Sequence, residues 1–109
     1  MKEVEIYFSE DSELSEYESI NKGHRRDVFV KIDLNIYHVL VYSPIRLQQD
    51  FDIEIEDRGY YNMEPNIVLV KELNKVEIIN AINRLYKQNY FSQIKESKDV
   101  KITDLVKVQ

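Results

Sequence analysis

Val4, Ile6 and Phe8 alternate with Glu3, Glu5 and Tyr7 at the start of the chain. A repeat of two sends successive side chains to opposite faces of a strand, so this segment is predicted as the first strand. Residues 9–26 then turn polar, with Glu10, Asp11, Glu13, Glu16 and Glu18 set among a few apolar residues. They read as a long acidic loop with room for a helical turn, which Leu14, Tyr17 and Ile20 at intervals of three could tack to the core. Two strands follow. Val28 to Ile32 is β-branched and alternating, while Ile36 to Tyr42 is apolar or aromatic at almost every position. A strand apolar on both faces belongs inside a sheet. Asp33-Leu34-Asn35 between them suits a tight turn, because Asp and Asn tolerate turn geometry.

Ser43-Pro44 is the clearest boundary, since Ser favours the N-cap and Pro the first helical position. Leu47, Phe51 and Ile55, four apart, would line one face of the helix that begins there. Residues 50–56 also alternate strictly, as a strand would. The cap and the spacing by four favour a helix from Pro44 to about Glu56, stopped by Asp57-Arg58-Gly59. Residues 60–65 form a loop, and Asn66 to Val70 reads as a fourth, buried strand. Asn74 and Glu77 have capping-box spacing. Behind them Ile78, Ile79, Ile82, Leu85 and Tyr86 recur at helical intervals, which predicts a helix from about Lys75 to Gln88. Tyr90, Phe91 and Ile94 pack the turn that follows, and the tail, residues 95–109, ends in an edge strand or a short helix. The expectation is one α+β domain over residues 1–109, with a mainly antiparallel sheet of about four strands and two helices packed on one face.

Composition narrows the function. The formal net charge is −5 and the pI about 5.0. Binding nucleic acid needs a concentrated basic surface, and His24-Arg25-Arg26 is too short to be one. An acidic chain is instead steered toward a basic partner. With no cysteine there is no disulfide, thiolate zinc site or thiol nucleophile. Met1 to Glu5 lacks the apolar core of a leader, and no apolar run is long enough to span a bilayer, so no membrane role and a cytoplasmic location are expected.

No motif of catalysis is present. Ser43 reads as a helix cap with no flanking glycine, and Gly23 and Gly59 alone make no phosphate-cradling loop. His24 sits in a polar stretch and His38 within a strand, and neither belongs to a ligand motif, so no metal and no cofactor are expected. The carboxylates at 50–57 miss the calcium-loop pattern. Their alternatives are a solvated helix face or a recognition surface. Two acidic stretches adjoin tyrosines: Glu13, Glu16 and Tyr17 in the first, and Asp50, Asp52, Glu54, Glu56 and Asp57 with Tyr60 and Tyr61 in the second. Tyrosine supplies contact area and charge speeds encounter, so these ten residues are the candidate protein interface.

The run Tyr37-His38-Val39-Leu40-Val41-Tyr42-Ser43-Pro44-Ile45-Arg46-Leu47, a strand passing through Ser-Pro into a helix, is followed by a later apolar strand and a helix ending near Tyr90-Phe91. Over roughly residues 28–94 this resembles the small immunity proteins of bacterial polymorphic-toxin and contact-dependent inhibition systems, in particular the immunity protein 8 family. That family tends to show Thr-Pro followed by Trp-Leu. This chain has Ser43-Pro44 and Arg46-Leu47, and no Trp. The resemblance implies a non-enzymatic inhibitor that binds and neutralises a cognate toxin, and such toxins are often nucleases with basic surfaces. Other readings are a secretion chaperone, an inhibitor of a host or phage nuclease, a small enzyme with a site near His38, or a homodimer formed through the tyrosine-rich strand edge.

Overall fold

A five-stranded sheet runs through the computed structural model, which describes residues 4–109. Its strands are β1 (Val4–Phe8), β2 (His24–Ile32), β3 (Asn35–Tyr42), β4 (Ile67–Leu69) and β5 (Val106–Lys107), in the order β4-β3-β2-β1-β5. Three helices, α1 (Glu13–Lys22), α2 (Pro44–Arg58) and α3 (Lys75–Lys87), connect and cover them. Glu3 of the first alternation and the Met1–Glu3 part of the leader reading lie outside the described residues. Among those described, no helix is long and apolar enough to cross a membrane.

Register follows from the alternation. Ile6 stands opposite Val30, and Val30 opposite Tyr37. Ile6, Phe8, Val28, Val30, Val39 and Val41 therefore share one face, and all are buried. Ile78 and Ile82 of α3, with Leu73 and Phe91, close the core over that face. Each such side chain contributes about 1.5–3 kcal/mol when fully buried. The cap of α3 forms at the expected place, with the Glu77 N–H donating to Asn74 Oδ1 at 2.9 Å. The Asp33-Leu34 turn joins Ile32 to Asn35, and Asp33 takes the left-handed conformation that Asp tolerates. The tail resolves into both expected forms, a short turn of helix at Ile102–Asp104 and then β5, paired with β1.

Four expectations are corrected. Residues 9–26 are not a loop. Ser12 caps α1 in a reciprocal box with Ser15, Gly23 ends the helix in the left-handed conformation, and β2 begins at His24 rather than Val28. Local caps, not burial, mark this helix. Leu14, Tyr17 and Ile20 are half or more exposed and tack nothing to the core. The count rises to five strands and three helices, and β4 pairs with β3 in parallel because α2 is a crossover. The helices predicted on one face lie on both. Val41 and Val68 face α3, whereas the alternate residues Tyr42, Ile67 and Leu69 line grooves with α2. The Leu47, Phe51 and Ile55 stripe does not enter the core, because no residue of α2 is buried.

An irregularity between Arg25 and Val28 interrupts the β2–β3 register, as a bulge does. Arg25 is only 3% exposed. Its guanidinium lies 3.8 Å from the centre of the Phe8 ring, its Nε donates to Asp27 Oδ1 at 2.8 Å, and its Nη2 donates to the Glu10 carbonyl. Asp27 also accepts from the Ser9 N–H and hydroxyl. Burial pushes the Asp27 carboxyl up, but Arg25 and Ser9 outweigh it and hold the group below its ordinary 3.8.

Two predictions follow from this packing. Ile82→Ala should cost about 2–5 kcal/mol of unfolding free energy in urea titrations, while Ile53→Ala on α2 should stay within about 0.5 kcal/mol. Asp27 binds its proton less readily in the folded chain, so its stabilisation is present above the ordinary carboxylate pKa and lost as pH falls through the lower folded value. The stability gap between the native chain and Asp27→Asn should therefore shrink on acidification below about pH 4 in denaturation followed by circular dichroism.

Candidate interface on the second helix

The second helix starts where the sequence demands. Ser43 Oγ accepts from the Arg46 N–H at 3.3 Å, Pro44 occupies the first turn, and Gly59 closes the helix with its N–H on the Ile55 carbonyl. Its first turn is held against the end of α1. The Ser43 N–H donates to the Gly23 carbonyl at 2.8 Å, and Arg46 Nη1 to the Lys22 carbonyl at 3.2 Å. Gly23 is required there, because a Cβ would stand 2.7 Å from Arg46 Cβ and its φ is +79°. His24 lies in the same junction, where burial and then the Arg46 charge lower its pKa.

Beyond that junction α2 is supported mainly by its own surface. Arg46 pairs with Asp50 at 3.1 Å, Arg58 with Glu54 at 3.4 Å, and Gln48 donates to Asp52 at 2.9 Å, all one turn apart. Ile45, Phe51, Ile53 and Ile55 are exposed, Ile45 to 73%. An exposed apolar side chain is ordinary, and these four fall on more than one side of the acidic helix, with Ile53 in one flanking groove and Phe51 in the other.

Two grooves flank this helix. The polar one, about 380 Å³, has Asp50, Ile53 and Glu54 on one wall, Tyr60 and Tyr61 above, and Arg26, Tyr42 and Ile67 from the sheet below. Arg26 donates to the Tyr42 hydroxyl and reaches Glu64 at 3.9 Å. Burial, then the charges of Asp50 and other neighbours, raises the Tyr61 pKa, so its phenol stays protonated and able to donate. The apolar groove, about 500 Å³, lies between α2 and β4 and is lined by Leu47, Phe51, Tyr61, Met63 and Leu69. The Tyr61 ring stacks on Phe51 at 6.2 Å and separates the two.

The expected interface residues divide. Asp50, Glu54, Tyr60 and Tyr61 come together in the polar groove. Asp52 sits beside the apolar groove through Gln48, and Glu56 and Asp57 are exposed near the end of α2. Glu13, Glu16 and Tyr17 lie on α1 instead. Of these, Glu16 already has a structural task. Its Oε2 accepts from the Lys75 N–H at 2.6 Å, capping the first turn of α3 with a negative charge. Arg26, Glu64, Phe51, Met63 and Leu69 were not expected at the site. The interval from Leu47 to Phe51 was visible in the sequence but signals only that a stripe is apolar, not that something covers it. His38 takes a structural place, its Nε2 against the Arg26 carbonyl and its ring stacked on Phe29 at 4.6 Å. Among the described residues, no group of three or more His, Asp or Glu is placed to hold a metal ion. No protein-family model matches this chain, and neither the curated proteins nor the solved structures yield a match.

Because Glu16 caps α3 and Glu13 is solvated, Glu16→Ala should lower stability by about 1 kcal/mol and Glu13→Ala by less than about 0.5 kcal/mol, measured by thermal unfolding.

Proposed function

We propose that this chain is an immunity-type inhibitor that binds a cognate bacterial toxin domain and neutralises it, with α2 and the loop after it as the contact face. The observation that carries the reading is a fifteen-residue helix without one buried residue, showing apolar side chains among carboxylates. Such a helix contributes little to the core and is free to evolve toward a partner. The resemblance of residues 37–47 to immunity proteins supports the same role.

The electrostatics suit a basic partner such as a nuclease. The chain carries −5 overall, and Asp52, Glu56 and Asp57 on α2 are exposed. Exposed charge of one sign raises the encounter rate with the opposite sign and is screened by salt. Tyr60, 60% exposed beside Ile53, is the kind of aromatic anchor around which contact energy concentrates. Occupying or shadowing the basic substrate channel of the toxin would then inhibit it without any chemistry by the inhibitor.

The test has two stages. Co-expression with the toxin encoded beside this gene should restore growth, and unchanged killing would sink the proposal. In the purified complex, reversing Asp52, Glu54 and Glu56 to Lys should slow association about tenfold or more and flatten its dependence on salt, while leaving the circular dichroism spectrum unchanged. An unaltered on-rate would remove this face from the interface.

A further inference from the structure

Strand β4 forms one outer edge of the sheet. In a parallel ladder, every second residue turns its peptide groups toward the neighbouring strand. On this edge those residues are Asn66, Val68 and Val70. The Leu40 N–H donates to the Asn66 carbonyl at 3.1 Å, the Val70 N–H donates to the Tyr42 carbonyl at 3.0 Å, and Val68 lies opposite Val41. The Leu69 N–H and carbonyl and the Ile67 carbonyl therefore point away from the sheet. Sheet edges are commonly guarded by charge, proline or a bulge. The sequence of β4 is Ile-Val-Leu, with none of these inside it, and its shortness, three residues, is its one guard. At the opposite edge, β5 carries Lys107, paired with Glu5 at 2.9 Å.

The open backbone adjoins the apolar groove. Leu69 is half exposed and shares that groove with Leu47, Phe51 and Met63. A strand laid along β4 would send alternate side chains into it, the arrangement by which an added strand gains affinity from its backbone and specificity from its side chains. Charge selects the occupant. Glu64 lies just before the strand and Glu72 just after it, and Asp52 is hydrogen-bonded to Gln48 in the groove wall, three carboxylates against two cations, Lys71 and the Arg26 that stands 3.9 Å from Glu64. A second copy would set this acidic rim against itself, whereas a basic segment complements it.

We propose that an extended segment of the partner, apolar at alternate positions and flanked by Lys or Arg, adds to β4 and fills this groove. The proposal rests on the reading of a basic protein partner and names the form of the contact.

The probe is a short synthetic peptide with alternating Val and Thr between paired lysines, titrated into the isotopically labelled full chain. Binding should move the Leu69 and Val70 amide signals in the NMR spectrum and slow hydrogen exchange at the Leu69 N–H. Leu69→Pro removes only an outward N–H and leaves the ladder bonds of Val68 and Val70, so it should weaken binding about tenfold. Phe51→Ser, which removes a groove wall on a helix that has no buried residue, should do the same and covers the case in which the proline variant misfolds. Three results would overturn the proposal: no binding at millimolar peptide, shifts confined to α1 or the distal half of α2, or equal binding of a peptide flanked by glutamates. Concentration-dependent protection of Leu69 without peptide would assign the edge to a second copy and overturn it too. Peptide binding together with failed rescue from the toxin would remove the toxin reading alone, and rescue without peptide binding would remove only the strand-addition mode.

Discussion

The second half of strand β3, Val39 to Tyr42, is buried on both faces, and most of the architecture is a response to that. Val39 and Val41 face the core under α3, while Leu40 and Tyr42, 2% and 3% exposed, face the other way. A strand of this kind needs cover on each side and a neighbour at each edge. Strand β2 supplies one edge through a hairpin. The other is supplied by β4 over Leu40 to Tyr42, and a parallel neighbour can only be reached by a crossover, which is α2. The tyrosine-rich edge weighed as a route to a homodimer is therefore already occupied in that stretch, and the open apolar edge has moved outward to β4.

This solution leaves α2 in an unusual position. It covers the outer end of β3 without one buried residue of its own, and its apolar stripe remains partly open to solvent beside carboxylates held in one-turn ion pairs. Surface pairs of that kind contribute only tenths of a kcal/mol, so the helix is held chiefly by its caps and by the contact of its first turn with Gly23. An exposed apolar surface surrounded by like charge stays soluble and still retains a favourable free energy of burial for a matching partner.

The fold was legible where local pattern and burial agree. The β1 alternation, the Ser43-Pro44 boundary and the Asn74 cap with its Ile78 and Ile82 stripe all appear where the sequence places them. It was illegible where a helix is stabilised by termini rather than by a buried face. The first helix has Ser12, Ser15 and Gly23 as its signals and an apolar set that meets solvent, so residues 9–26 look like a loop to any argument from periodicity. The candidate site divided in the same way. Acid and tyrosine near one another in sequence do come together around the polar groove at Asp50, Glu54, Tyr60 and Tyr61, but their spacing could not show that Glu16 is spent on a helix fifty-nine residues further along.

The sequence by itself determined the α+β class, the elements from Val28 to Gln88 and the acidic, cysteine-free chemistry, because periodicity, caps and charge are local properties of neighbouring residues. Only the tertiary structure decided that β4 runs parallel to β3, that α2 and α3 lie on opposite faces, and that the Leu47, Phe51 and Ile55 stripe is left outside the core. Those outcomes depend on which surfaces meet across the chain. An apolar residue has the same intrinsic preference for burial whether or not the fold brings another surface to it.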